Sequence, residues 1–262
     1  MKKTLIALAV AASAAVSGSA MAWTANGNGG SIEVGGTLTP VEKVTPWEVA
    51  TGAAVTNVDA QVQKTQSQVE VGVSKSIPIL AIRSVNPDGF TGRIGISPQI
   101  NYGWVSTNNW ADSTAPASAL VRDEQGTEIG RATFNIQAIG VYSAVTIEGT
   151  SPHKALMFGG EFEGIIGAFT GGLPEKASEV ADVRNTIIDG WPDIQDKYIA
   201  YPGAEWASNY TTDFAGPGWK YSAYYGSVIP KNSKINLALN APVSGDAPLK
   251  WKMNLPVSVI YQ

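Results

Sequence analysis

Ser31-Ile-Glu-Val-Gly-Gly-Thr-Leu-Thr39 alternates with a period of two, Ile32, Val34, Gly36 and Leu38 on one side and Glu33, Gly35 and Thr37 on the other. That period describes a β-strand with one buried face. A polar, glycine-rich lead precedes it, Trp23-Thr-Ala-Asn-Gly-Asn-Gly-Gly30, and gives the strand reach. Before the lead, residues 1–22 read as a removable export signal. Lys2 and Lys3 form its positive start, residues 5–16 its apolar run, and Ala20-Met21-Ala22 a small-x-small cleavage site. A single strand on such a tether suits a neighbour's sheet better than its own. Gly36 points the same way, because glycine weakens an ordinary strand but fits a tight spot in a groove. The alternative is that residues 31–39 are the first strand of their own domain.

The other end of the chain supplies the natural pairing edge. Trp251, Met253, Leu255, Val257, Val259 and Tyr261 share one face of a regular strand, with Lys252, Asn254, Pro256 and Ser258 on the other. Between the two ends, further strands are expected at 44–50 around Trp47, at 68–74, 77–82, 92–102, 129–136, 141–147 and 234–241. Asn86-Pro-Asp-Gly89 is a turn in which proline presets φ and glycine accepts a positive one. Residues 52–66 and 103–118 read as loops. The pattern changes after residue 150. Leu156, Phe158, Phe162, Ile165, Ile166 and Phe169 fall near helical spacing, weakened by glycines, and 175–189 carries Val180, Val183, Ile187 and Ile188 along one helical face, stopped by Gly190 and Pro192. Residues 191–225 are aromatic and loop-like. The order describes an all-β sandwich of short antiparallel strands at 41–262 with a helix-containing insertion at about 150–220.

Composition narrows the function classes. Removing 22 residues from 262 leaves 16 basic against 22 acidic residues, a mildly acidic chain without a basic block, which argues against nucleic acid as a partner. The chain has no cysteine, so a disulfide framework, a zinc–thiolate site and a thiol nucleophile are excluded. No later apolar run approaches the ~20 residues of a membrane-spanning helix. The glycines and prolines are spread between short strands rather than clustered as a linker.

The sequence offers little catalytic machinery and no cofactor motif. His153 is the lone histidine, placed at a corner where an exposed or capping role is ordinary. Asp193, Asp196 and Asp213 lack the dense spacing and terminal glutamate of a calcium loop and read as solvated loop acids, so no metal site is assigned. The aromatic run is the candidate recognition surface. Flat Trp and Tyr faces stack on the C–H side of a pyranose while neighbouring polar groups bond its hydroxyls. Burial is the ordinary fate of any one such ring. Trp206-Ala-Ser-Asn-Tyr210, flanked by polar residues, is the best candidate, with Phe158 and Phe162 beside it.

The chain resembles the FaeG-type subunits of chaperone–usher adhesive fimbriae of enterotoxigenic E. coli. The resemblance rests on Met1-Lys-Lys-Thr-Leu-Ile-Ala-Leu-Ala9, the mature start at Trp23 and Gly30-Ser-Ile-Glu-Val-Gly-Gly36. It continues in Pro46-Trp-Glu-Val-Ala-Thr-Gly52, Ala168-Phe-Thr-Gly-Gly-Leu173 and Leu255-Pro-Val-Ser-Val-Ile-Tyr261. It implies an incomplete immunoglobulin-like sandwich, filled first by a periplasmic chaperone. At an outer-membrane usher, the N-terminal strand of an identical or related subunit then replaces the chaperone. Export through the periplasm would end in a surface fimbria. The resemblance also implies binding of galactose-containing host glycans around the insertion; a minor or purely structural subunit without receptor binding is the alternative.

Overall fold

A computed structural model describes residues 25, 34–39, 44–106 and 108–262. The export signal, Ile32 and Glu33 lie outside the described residues. Residues 34–39 fall in a unit (1–43) separate from the compact unit that begins at Val44. They carry no strand and are exposed.

In chain order the second unit contains β1 (Trp47–Thr51), β2 (Gln68–Gly72), β3 (Ile77–Ser84), β4 (Phe90–Thr91), β5 (Pro98–Asn101), β6 (Thr114–Arg122), β7 (Glu128–Thr146) and β8 (His153–Met157). There follow β9 (Glu161–Phe162), β10 (Ile165–Ile166), a 3-10 turn (Ala177–Glu179), α1 (Arg184–Gly190), β11 (Glu205–Trp206), β12 (Trp219–Ile229), β13 (Lys234–Leu239), β14 (Lys252–Met253) and β15 (Ser258–Tyr261). Eleven strands form one curled sheet, almost wholly antiparallel, and two pairs, β9–β10 and β5–β15, stand apart.

The 19-residue β7 organises the sandwich by belonging to both layers. Its first half pairs with β6 and β13, and so with β14 and β2 beyond them. Its second half pairs with β12 and β8, continuing to β3 and β1 on one side and β11 on the other. Sequence expected two strands here, because the burial period changes at Gln137. Before it, Ala132, Phe134 and Ile136 are buried while Arg131, Thr133 and Asn135 are exposed; after it every residue from Ala138 to Val145 is buried. The second half is covered on both faces, one by the main core and the other by a smaller cluster. In that cluster Ile187 of α1 and Ile194 pack against Ala81, Ile139, Val141, Tyr224 and Val228.

An aromatic group centres the main core. Trp47 meets Phe90, Phe169 and Phe214 at ring-centroid distances of 4.9, 5.8 and 5.2 Å, and its indole N–H donates to the Ile96 carbonyl at 2.6 Å. Phe169 and Phe214 are fully buried although their backbones sit at φ of 62° and 60°, a region costly for bulky residues. Behind them the Tyr102 hydroxyl bonds both Tyr225 and Ser227 at 2.6 Å, so the buried hydroxyls are mutually satisfied. At the sheet edge Glu48 of β1 accepts from Lys197 at 2.8 Å and from Arg83, and these two cations, Lys197 first, hold its carboxyl below the ordinary 4.5.

The insertion departs from the expected helices. Residues 153–166 form β8 and the β9–β10 hairpin. His153–Met157 pairs with the free side of β7, and Glu163 and Gly164, at φ of 51° and 80°, make the two-residue turn that a tight hairpin requires. The helix expected at 175–189 is confined to Arg184–Gly190. A tertiary pin explains the shortening: the buried Ser113 donates its N–H to the Glu179 carbonyl at 2.8 Å, and its hydroxyl bonds both the carbonyl and the N–H of Ala181. Those bonds pin the chain on either side of Val180, whose backbone is extended, and so part the 3-10 turn from α1. Two loop assignments are also corrected. Thr114–Arg122 is a full strand, and Trp219–Ile229 is the strand central to the second layer. The expected strand at 92–102 reduces to Pro98–Asn101.

Candidate functional site

Along one side the sandwich is open. The C-terminal segment keeps its alternation: Trp251, Met253, Leu255, Val257, Val259 and Tyr261 are half-buried against the main core, and the residues between them are exposed. It is not one strand, however. β14 pairs with β6 through Lys252 and Met253 only, and β15 pairs with β5. Residues 254–257 are excluded from β6 because residues 104–106 already occupy that edge. The Ser118 N–H donates to the Trp104 carbonyl, the Ser106 N–H donates to the Pro116 carbonyl, and Val105 bridges Ala117. Pro256, lacking an N–H, sits in the break, its carbonyl taking the Trp104 indole N–H at 2.7 Å.

Half-burial of that face has a visible cause. Trp251, Met253, Leu255 and Val257 line a groove of about 1410 Å³ whose floor includes Val69, Val71, Ile77, Ile79, Ile235 and Leu237. Interiors pack without voids of this size, so the two layers are separated here rather than interdigitated. In the separate first unit, Val34 is 90% and Leu38 97% exposed, and Gly36 has open space around it. Large apolar side chains left this bare mark a surface that requires a cover.

The second candidate region lies on the insertion. Phe162, at the hairpin, and Tyr210 are exposed and meet edge to face at 5.7 Å; Ile165 and Ile166 extend the same apolar hairpin. Phe158 is 5% exposed, 6.3 Å from Phe162, and supports that ring from beneath, so it offers no face to a ligand. Trp206, 46% exposed, is carried by β11 alongside β8. The Arg184 guanidinium lies 4.4 Å and the Lys154 ammonium 5.3 Å from its ring centroid. Asp182 orients Arg184 by accepting from Nε at 2.8 Å and from the terminal nitrogen at 2.6 Å, and this pairing holds the Asp182 carboxyl low. Sequence reasoning missed Lys154 and Arg184 as partners of Trp206, since strand pairing and α1 bring them there from far along the chain.

His153 stands edge-on to Tyr142 and Trp219, at 5.6 and 5.4 Å. Among the described residues no group of three or more acidic, histidine or cysteine side chains is arranged to hold a metal. Asp193 faces Arg83 at 3.4 Å, and Asp213 accepts the Ala215 N–H.

Fold and groove together define a class: an all-β subunit whose sandwich is open along one side. The chain belongs to the family described as fimbrial, major and minor subunit, whose model matches residues 1–262. It is 29% identical over 290 aligned positions to the F41 fimbrial protein of Escherichia coli, with all of both chains covered. To the K88 fimbrial protein AB of the same organism it is 29% identical over 195 positions, covering 69% of this chain and 67% of that one. The K88 minor fimbrial subunit FaeI of Escherichia coli is 23% identical over 252 positions, 92% and 93% of the two chains.

Proposed function

We propose that this chain is a structural, non-enzymatic subunit of an adhesive surface fimbria, polymerising by donor-strand exchange. Residues 31–39 of one copy complete the sandwich of the next, with Ile32, Val34, Gly36 and Leu38 facing its groove. The observation that carries this is the pairing of two incomplete features: an apolar groove open beside 251–257, and an alternating segment whose Val34 and Leu38 are bare. The groove presents four apolar positions on its C-terminal rim, and the segment offers three apolar side chains, Ile32, Val34 and Leu38, with Gly36 among them. Adding a strand satisfies a row of backbone groups as well as covering apolar area. Until then the chain requires a periplasmic chaperone, and an outer-membrane usher effects the exchange with an identical or related subunit. Electron microscopy of cells producing this chain with a chaperone and usher of its family is expected to show fibres containing it; their absence would contradict the assembly role.

Adhesion is assigned to the insertion face, where Phe162, Tyr210 and Trp206 present rings to a galactose-containing host glycan. Arg184, Lys154 and Asp182 supply hydrogen-bonding groups around Trp206. A stacking ring contributes roughly 1 kcal/mol, so replacing all three with alanine should weaken glycan-array binding on the order of a hundred-fold. Unchanged array binding by a folded triple variant would favour the purely structural reading, which the 23% likeness to a minor subunit keeps in view.

A further inference from the structure

Between Gly52 and Lys64 the chain follows the groove without joining a sheet. Val55 lines the groove, and after it Thr56, Val58, Ala60 and Val62 alternate with Asn57, Asp59 and Gln61, the same period of two that marks residues 31–39. Val58 is half-buried against the main core and Val62 is half-buried, and both line the groove. Yet among the described residues 53–62 make no backbone–backbone hydrogen bond. Both ends of the span are tied. The Gly52 N–H donates to the Ile79 carbonyl at 3.1 Å, and a side chain at Gly52 would run into the Pro78 carbonyl. At the far end Thr65 and Val243 are joined by the Thr65 N–H to the Val243 carbonyl at 2.8 Å, the Val243 N–H returns to Gln66 at 3.0 Å, and Lys64 pairs with Asp246.

We propose that residues 53–62 are a placeholder strap, seated through Val58 and Val62, that shields the groove of an unfilled subunit and leaves when a donor strand enters. The inference rests on the acceptor reading of the groove. Its physical basis is a difference in what each occupant satisfies. The strap covers apolar floor but leaves its own backbone unpaired, whereas an incoming strand with larger side chains covers the floor and also saturates its backbone. Alanine and threonine at 54, 56 and 60 keep the hold weak, and the fastened ends keep the strap attached once displaced.

The chain has no cysteine, so a single thiol placed by Val58→Cys takes one environment-sensitive fluorophore. The full exported chain carrying it, at nanomolar concentration, is titrated with a peptide copy of residues 23–40 whose own anisotropy reports binding. Loss of label emission in step with peptide binding is the expected result, since position 58 passes from the groove to water. Peptide binding with unchanged or rising emission overturns the strap and leaves the acceptor reading intact. No peptide binding overturns both. A second variant without a label, Val58→Ser, should take up the peptide at least about threefold faster than the parent chain, as a loosened occupant yields sooner; an equal rate overturns the strap.

Discussion

Fusion of residues 23–40 to the C-terminus through a short flexible linker is expected to yield a soluble monomer that unfolds about 10–20 °C above the unfused chain. The magnitude follows from burying Ile32, Val34 and Leu38, each about 1.5–3 kcal/mol, reduced by the entropy of ordering the segment, with each kcal/mol moving the midpoint of a domain this size by about 2–4 °C. Geometry permits the fusion. The groove rim ends at Val257, five residues before Gln262, and the lead at 23–30 extends up to about 26 Å, so it can turn back along the rim. In the unfused chain Val34→Asp should abolish fibres while leaving export intact, because a carboxylate would enter an apolar groove without a partner. Glu33→Gln, on the outward side, should leave fibres unchanged. Thermal melts, size-exclusion chromatography and electron microscopy measure these outcomes. A fusion no more stable than the parent, or fibres from Val34→Asp, would sink the donor assignment.

The parts of this fold legible in the sequence were those governed by a local period. β2, β3 and β13 each alternate or run apolar over a few residues, and the C-terminal face from Trp251 to Tyr261 is half-buried at every second residue as its spacing requires. Its break at 254–257 was not legible, because residues 104–106, remote in sequence, take the edge of β6. The insertion misled for a related reason. Apolar residues at 156, 158, 162, 165 and 166 mimic a helix, but the pairing of β8 with β7 and the turn at Glu163-Gly164 override that spacing. The face proposed for recognition divides in the same way. Polar neighbours revealed Trp206 and Tyr210 as exposed, whereas the burial of Phe158 and the approach of Arg184 and Lys154 to Trp206 depend on long-range pairing.

Trp47→Ala is expected to be among the most damaging single substitutions in the second unit, and it separates the core from the groove as a source of stability. Removing a buried tryptophan costs about 3–5 kcal/mol through lost transfer energy and an unfilled cavity. Three further losses coincide here. Edge-to-face and tilted contacts with Phe90, Phe169 and Phe214 disappear, the Ile96 carbonyl loses its indole donor, and two buried phenylalanines at positive φ lose the ring that helps hold them there. A domain typically has only about 5–15 kcal/mol to lose, so the variant of the unfused chain should fail to accumulate. In the self-complemented fusion the same substitution should fold but melt about 10–20 °C below the parent fusion. Trp47→Phe keeps a ring while removing the N–H, and should recover much of that difference, leaving a deficit of about 1–3 kcal/mol for the unpaired carbonyl. Calorimetry on the three fusions decides the matter: a Trp47→Ala midpoint within about 3 °C of the parent would mean that this aromatic group is not what holds the two layers together.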